Sequence, residues 1–162
     1  MRHGRIAAVG VVALLCSACG EDSAGGATRL PDLTLAPLSA GGPSLDLGDL
    51  RGPAVVNLWA TWCAPCRREL PAFQEVSETR SDVRFVGIDI GEDEARADDF
   101  IDELGITFEQ FVDERGELTD ALGTAALPVT LVVDTDGKVA TEHLGPMTVD
   151  DLEDAIEAVV NR

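Results

Sequence analysis

Two cysteines with two residues between them, Cys63 and Cys66, lie in the run Trp62-Cys63-Ala64-Pro65-Cys66. On a helix this spacing is one turn, which brings two sulfurs within reach of a disulfide bond. A cysteine at or just before a helix N-terminus meets unpaired N–H groups and the positive end of the helix dipole, and both favour the thiolate. Such a pair suits thiol–disulfide exchange: Cys63 attacks a disulfide sulfur, and Cys66 then resolves the mixed disulfide. The remaining cysteines, Cys16 and Cys19, make a second pair of the same spacing, formally the pattern of a zinc ribbon. They lie far from the first pair and inside an export-type segment, so no metal and no cofactor is expected.

The elements around the pair must present Cys63 and bury Cys66. Residues 54–60, Ala-Val-Val-Asn-Leu-Trp-Ala, form a short apolar run of the kind a central strand shows. The motif follows at once, and residues 65–79 read as a helix with Leu70, Phe73 and Val76 on one side. Pro65 fits the first turn, where no N–H partner is lost, whereas Pro71 is expected to kink the helix. Residues 33–47 read as two short apolar runs around the turn signal at 39–43. Residues 83–89 read as a second strand. The acidic stretch from Glu92 is expected to form a helix with Phe100, Ile101 and Leu104 inward, stopped by Gly105. A short strand at 107–112 and a helical turn at 118–122 follow. Strands at 129–133 and 138–144 flank Asp134-Thr135-Asp136-Gly137, a strong hairpin signal. The last helix starts at a Thr148/Asp151 cap and buries Leu152, Ile156, Val159 and Val160. This order predicts an α/β domain with a mixed sheet flanked by helices.

The N-terminus reads as an address. Arg2 and Arg5 precede an apolar stretch too short to span a bilayer. Leu15-Cys16-Ser17-Ala18-Cys19 resembles the lipobox of bacterial lipoproteins, which implies lipidation of Cys19. Residues 1–18 are therefore expected to be a lipoprotein signal peptide, 19–29 a Gly/Ala/Ser-rich tether, and 30–162 the folded domain. Twelve basic against thirty acidic residues give a net charge of −18. That surface repels phosphate backbones and argues against nucleic-acid binding.

The run from Trp59 to Pro71, together with Leu127-Pro128-Val129-Thr130-Leu131-Val132-Val133-Asp134 and Gly137, resembles the thioredoxin-like TlpA/ResA family of thiol–disulfide oxidoreductases. The resemblance implies a thioredoxin-like fold with a leading β-hairpin and an inserted strand–helix at 83–105. It also implies that Pro128 is a cis-proline facing the cysteines, with substrate main chain docking among Trp62, Ala64, Pro65 and Leu127. Glu69 matches a glutamate that such proteins place beside the cysteines, where a carboxylate would raise the thiol pKa values and could shuttle a proton. The other reading of Glu69 is a solvated helix residue paired with neighbouring arginines. Asn57 stands where thioredoxin keeps a buried acid and cannot titrate. His143 reads as a surface strand residue. The implied role is an extracytoplasmic membrane-tethered reductase of disulfides in client proteins such as apocytochrome c, re-reduced by a membrane electron donor of the DsbD/CcdA type. A disulfide-forming oxidase of the same fold is the alternative. A copper metallochaperone is disfavoured by the two-residue gap between the cysteines, and a peroxiredoxin-type peroxidase by the Trp-Cys-x-x-Cys frame.

Overall fold

The computed structural model describes residues 29–91 and 94–161; Cys16, Cys19 and the expected signal peptide, together with the tether as far as residue 28, lie outside them. Along the chain the elements are β1 (Thr34–Pro37), β2 (Leu45–Asp46), β3 (Ala54–Trp59), α1 (Ala64–Thr79), β4 (Arg84–Asp89), α2 (Glu94–Leu104), β5 (Glu109–Val112), α3 (Glu117–Leu122), β6 (Val129–Val133), β7 (Val139–Leu144) and α4 (Val149–Val160). The strands form one mixed sheet in the order β2-β1-β5-β4-β3-β6-β7. β4 runs parallel to β3 and β5, while β6 and β7 run antiparallel to their neighbours.

Every residue of β3 and of β6 is buried, as expected of strands covered on both faces. Alternation along β3 then divides the core. Ala54, Val56 and Leu58 pack with Leu118 of α3 and with Val129, Leu131 and Val133 of β6. On the opposite face, Val55 meets Phe73 and Val76 of α1 and Leu152, Ile156 and Val159 of α4. Trp59 on that face packs with Cys63, Cys66 and Leu70, and with Ala97, Phe100 and Ile101 of α2. Its ring stacks on Phe100 at a centroid separation of 5.2 Å.

The leading hairpin is present, with Thr34 opposite Asp46 and Leu35 opposite Leu45. The expected strand at 107–112 is shorter, and its first two positions are used otherwise: Thr107 N–H donates to Gln74 Oε1 of α1 at 2.8 Å. α1 runs unbroken through Pro71, because Leu70, Phe73 and Val76 anchor both sides of the proline in the core. α3 begins with a cap from a distance: the Asp113 carboxylate accepts the N–H groups of Glu117 and Leu118, each at 2.9 Å. In the β6–β7 turn, Asp134 Oδ1 accepts from the N–H groups of Asp136 and Lys138, and Gly137 takes φ +78°.

Candidate active site

β3 ends at Trp59, and the next residues turn tightly enough for Cys63 N–H to reach Ala60 O at 3.0 Å. Cys63 has extended backbone angles and caps α1, its Sγ accepting the N–H of Cys66 at 3.2 Å. Pro65 occupies the first turn as its missing N–H requires. Cys63 and Cys66 are joined by a disulfide, with Cα atoms 5.3 Å apart, and both are buried. Trp62 beside them is 65% exposed.

The second wall of the site comes from the start of β6. The Leu127–Pro128 peptide bond is cis. Leu127 packs on the cluster that contains both cysteines, and Pro128 O accepts from Gly145 N–H at 2.9 Å. The antiparallel register of β3 and β6 places Pro128 at the end of the sheet where β3 delivers the cysteine turn.

Glu69 lies three residues past Cys66 on the buried side of α1 and is only 5% exposed. Asn57 Nδ2 of β3 donates to its Oε1 at 2.9 Å, and Met147 N–H donates to its Oε2 at 2.8 Å. Burial pushes the Glu69 carboxyl above its ordinary value of 4.5, while the two hydrogen bonds and the charge of His143 pull the other way. The reading of Glu69 as a solvated partner of arginines is thereby corrected: a carboxylate on the inner face of α1 cannot reach the exposed side. Arg67 instead pairs with Glu103 at 3.1 Å and lies over the Phe100 ring at 4.6 Å.

Asn57 Nδ2 also donates to Thr130 Oγ1 at 3.1 Å, while Asn57 Oδ1 has no donor among the described residues. Across the sheet Asn57 is opposite Thr130, and Thr130 is opposite His143. His143 is half-buried on β7, its Nε2 3.2 Å from Pro146 O. Thr130 and Met147 were not among the expected site residues. The signal for Thr130 was a hydroxyl inside a run of buried aliphatics, since a buried polar group needs a partner. Met147 contributes only its backbone and left no such mark. On the other flank, Trp59 Nε1 donates to Gln110 Oε1 at 2.9 Å. Gln110 lies over Gly87, where an added Cβ would collide with its side-chain amide. Among the described residues no group of three His, Cys, Asp or Glu could hold a metal ion, and no helix is long and apolar enough to cross a membrane.

A capping cysteine bonded to a second one turn later, with a cis-proline at the same end of the sheet and a buried carboxylate further along the same helix, is an arrangement for thiol–disulfide exchange. The family model described as Redoxin matches residues 26–158. The thiol–disulfide oxidoreductase ResA of Geobacillus thermodenitrificans is 33% identical over 132 residues, covering 80% of this chain and 75% of that protein. A secreted thiol–disulfide isomerase from Corynebacterium glutamicum superposes with a TM-score of 0.72 at 26% identity, over 82% of this chain and 86% of its own. A secreted Mycobacterium tuberculosis disulfide oxidoreductase, described as homologous to Escherichia coli DsbE, superposes at 0.70 with 25% identity, over 78% and 96%.

Proposed function

The chain belongs to the redoxin family and is a thiol–disulfide oxidoreductase of thioredoxin-like fold, and on that premise we propose that it is an extracytoplasmic, membrane-tethered reductase of disulfides in secreted client proteins, apocytochrome c among them. The observation that carries this reading is Cys63 at the N-cap of α1, its sulfur accepting the Cys66 N–H. In the reduced protein the same N–H and the helix dipole stabilise a Cys63 thiolate. That thiolate attacks one sulfur of the client disulfide, forming a mixed disulfide and releasing one client thiolate. Cys66, giving up its proton, attacks the Cys63 sulfur. The Cys63–Cys66 disulfide forms, the second client thiolate leaves, and two electrons have passed to the client. Glu69, one turn beyond Cys66, is the group to receive that proton.

Client main chain docks between the Trp62, Ala64 and Pro65 edge and the Leu127–Pro128 segment. The exposed large hydrophobics among the described residues, Trp62, Leu144 and Val149, support this. Trp62 adjoins Cys63, Leu144 pairs with Val129 next to Pro128, and Val149 opens α4 just after the Met147 contact to Glu69. An apolar rim on an otherwise acidic protein fits the uncharged flanks of a client cysteine.

Residues 1–18 act as the signal peptide, Cys19 carries the lipid, 19–29 form the tether and 30–162 the folded domain. The description of two similar proteins as secreted supports export. An oxidising compartment would leave the pair as a disulfide, so the reductase direction requires a membrane electron donor of the DsbD/CcdA type. Three measurements test the reading. A reduction potential near about −270 mV supports the reductase, whereas one near about −120 mV reverses the direction to an oxidase. Cys66→Ser should stall as a mixed disulfide with a peptide carrying an oxidised Cys-x-x-Cys-His segment; no adduct at Cys63 sinks the mechanism. Cys19→Ser should move the protein from the membrane to the soluble fraction.

A further inference from the structure

The segment between β7 and α4 ties three parts of the site together within three residues. Gly145 N–H holds the Pro128 carbonyl, Pro146 O lies against the His143 ring, and Met147 N–H holds the Glu69 carboxylate. His143 is also the outer member of a transverse row, Asn57, Thr130 and His143, on three adjacent strands. Directly opposed residues of antiparallel strands share a face. Asn57 turns toward α1 to meet Glu69, so His143 lies on the side of the sheet that α1 covers.

We propose that His143 is a positioning residue for the dithiol reaction: its imidazolium, on the Glu69 side of the sheet beyond Thr130, holds the buried Glu69 carboxylate in its charged form, and its loss of charge lets Glu69 keep a proton. The inference rests on the reading of Cys63, Cys66 and Glu69 given above and names the one titratable group that favours the charged form of that acid against burial. The groups packed around the carboxylate leave this role to His143. β3 offers Asn57, β6 offers Thr130 and the loop offers the Met147 N–H, and none of these titrates; on β4 the buried Asp89, opposite Trp59, is an acid and can only oppose a charge on Glu69. The first turn of α4 carries Asp150 and Asp151, both exposed, and Asp151 accepts from the Thr148 hydroxyl. On β7, Glu142 alternates to the opposite face. On α1 itself the ionisable neighbours are the cysteine pair and the exposed Arg67 and Arg68, with Arg67 turned to Glu103. Imidazole is the side chain whose charge ordinarily changes between pH 5 and 8.

The test is a carboxyl-carbon NMR titration of 13C-glutamate-labelled full-length protein in the reduced state, with Glu69 assigned by its absence in Glu69→Gln. In His143→Gln, which keeps a donor for Pro146 O but no charge, the Glu69 midpoint should rise by about half a pH unit. In His143→Lys, which keeps the charge, it should stay near that of the unmodified protein. Reciprocity supplies a second measurement that leaves His143 in place: its ring titration should move to lower pH in Glu69→Gln. An unchanged Glu69 midpoint in His143→Gln, or an unmoved His143 titration in Glu69→Gln, overturns the proposal. Disulfide reductase activity of the unmodified protein, measured alongside, reports on the dithiol reading separately, because the titrations do not depend on turnover.

Discussion

Replacing Glu69 with glutamine keeps the shape of a buried side chain and removes its charge. In the protein as it stands, Asn57 Nδ2 and Met147 N–H both point at carboxylate oxygens. A glutamine can satisfy both sites if the Asn57 amide turns over. Asn57 Oδ1, which has no donor among the described residues, then accepts from the new amide and from the Thr130 hydroxyl, while Met147 N–H keeps its oxygen. A protonated Glu69 can use the same arrangement, so the variant imitates the acid with its proton on. The folded state holds that proton more tightly than the unfolded chain, because burial raises the carboxyl above 4.5. The stability linked to it is complete below 4.5 and is lost as pH rises through the folded-state midpoint. Across that window the unmodified protein should lose up to about 1.4 kcal/mol per pH unit relative to Glu69→Gln, and the difference should level off above it. Urea unfolding of the oxidised protein at a series of pH values from about 4 to about 8 measures this directly. A difference that is flat with pH, or that shrinks as pH rises, refutes the reasoning, since either result means that the charge of Glu69 is not held at a cost.

Gly87→Ala should displace the Gln110 side chain and break its bond to Trp59 Nε1. The expected destabilisation is about 1–3 kcal/mol, with a changed near-UV signal of Trp59, and Gln110→Ala in the same chain should recover part of the loss. Asp113→Ala removes the acceptor for two N–H groups at the start of α3. It should cost about 1–2 kcal/mol in urea unfolding, with faster amide exchange at Leu118. Thr130→Val is nearly isosteric and takes away one acceptor of Asn57 Nδ2. A loss of about 1 kcal/mol or more is expected, together with a shifted Glu69 titration, because Asn57 is no longer held from both sides.

Much of the site can be read locally. The strand before the cysteines shows as an uninterrupted apolar run because β3 is covered on both faces. The cap at Cys63, the tolerance of Pro65 and the one-turn reach to Cys66 depend on atoms within a few residues of one another. The turn at Asp134–Gly137 and the Thr148 cap are likewise local hydrogen-bond patterns, and both are found. The cis bond before Pro128 is expected through the family resemblance alone, whereas the leading hairpin also shows locally, as two short apolar runs around the turn residues at 39–43. α1 passes through Pro71 as the reading of 65–79 as one helix expects, a residue that disfavours a helix interior being carried by the packing of Leu70, Phe73 and Val76 around it.

Composition, spacing and periodicity by themselves determined the dithiol, the helix it caps, the mixed sheet and the buried stripe of the last helix, because these follow from hydrogen bonds and side-chain directions within a turn or a strand. Only the tertiary structure decided what Glu69 is. Its partners Asn57 and Met147, the Thr130 behind them and the nearby His143 come from different strands and loops. Whether a carboxylate three residues after Cys66 faces water or the core depends on which side of α1 meets the sheet. That choice is made by the burial of Leu70, Phe73 and Val76 together, and no single position along the chain records it.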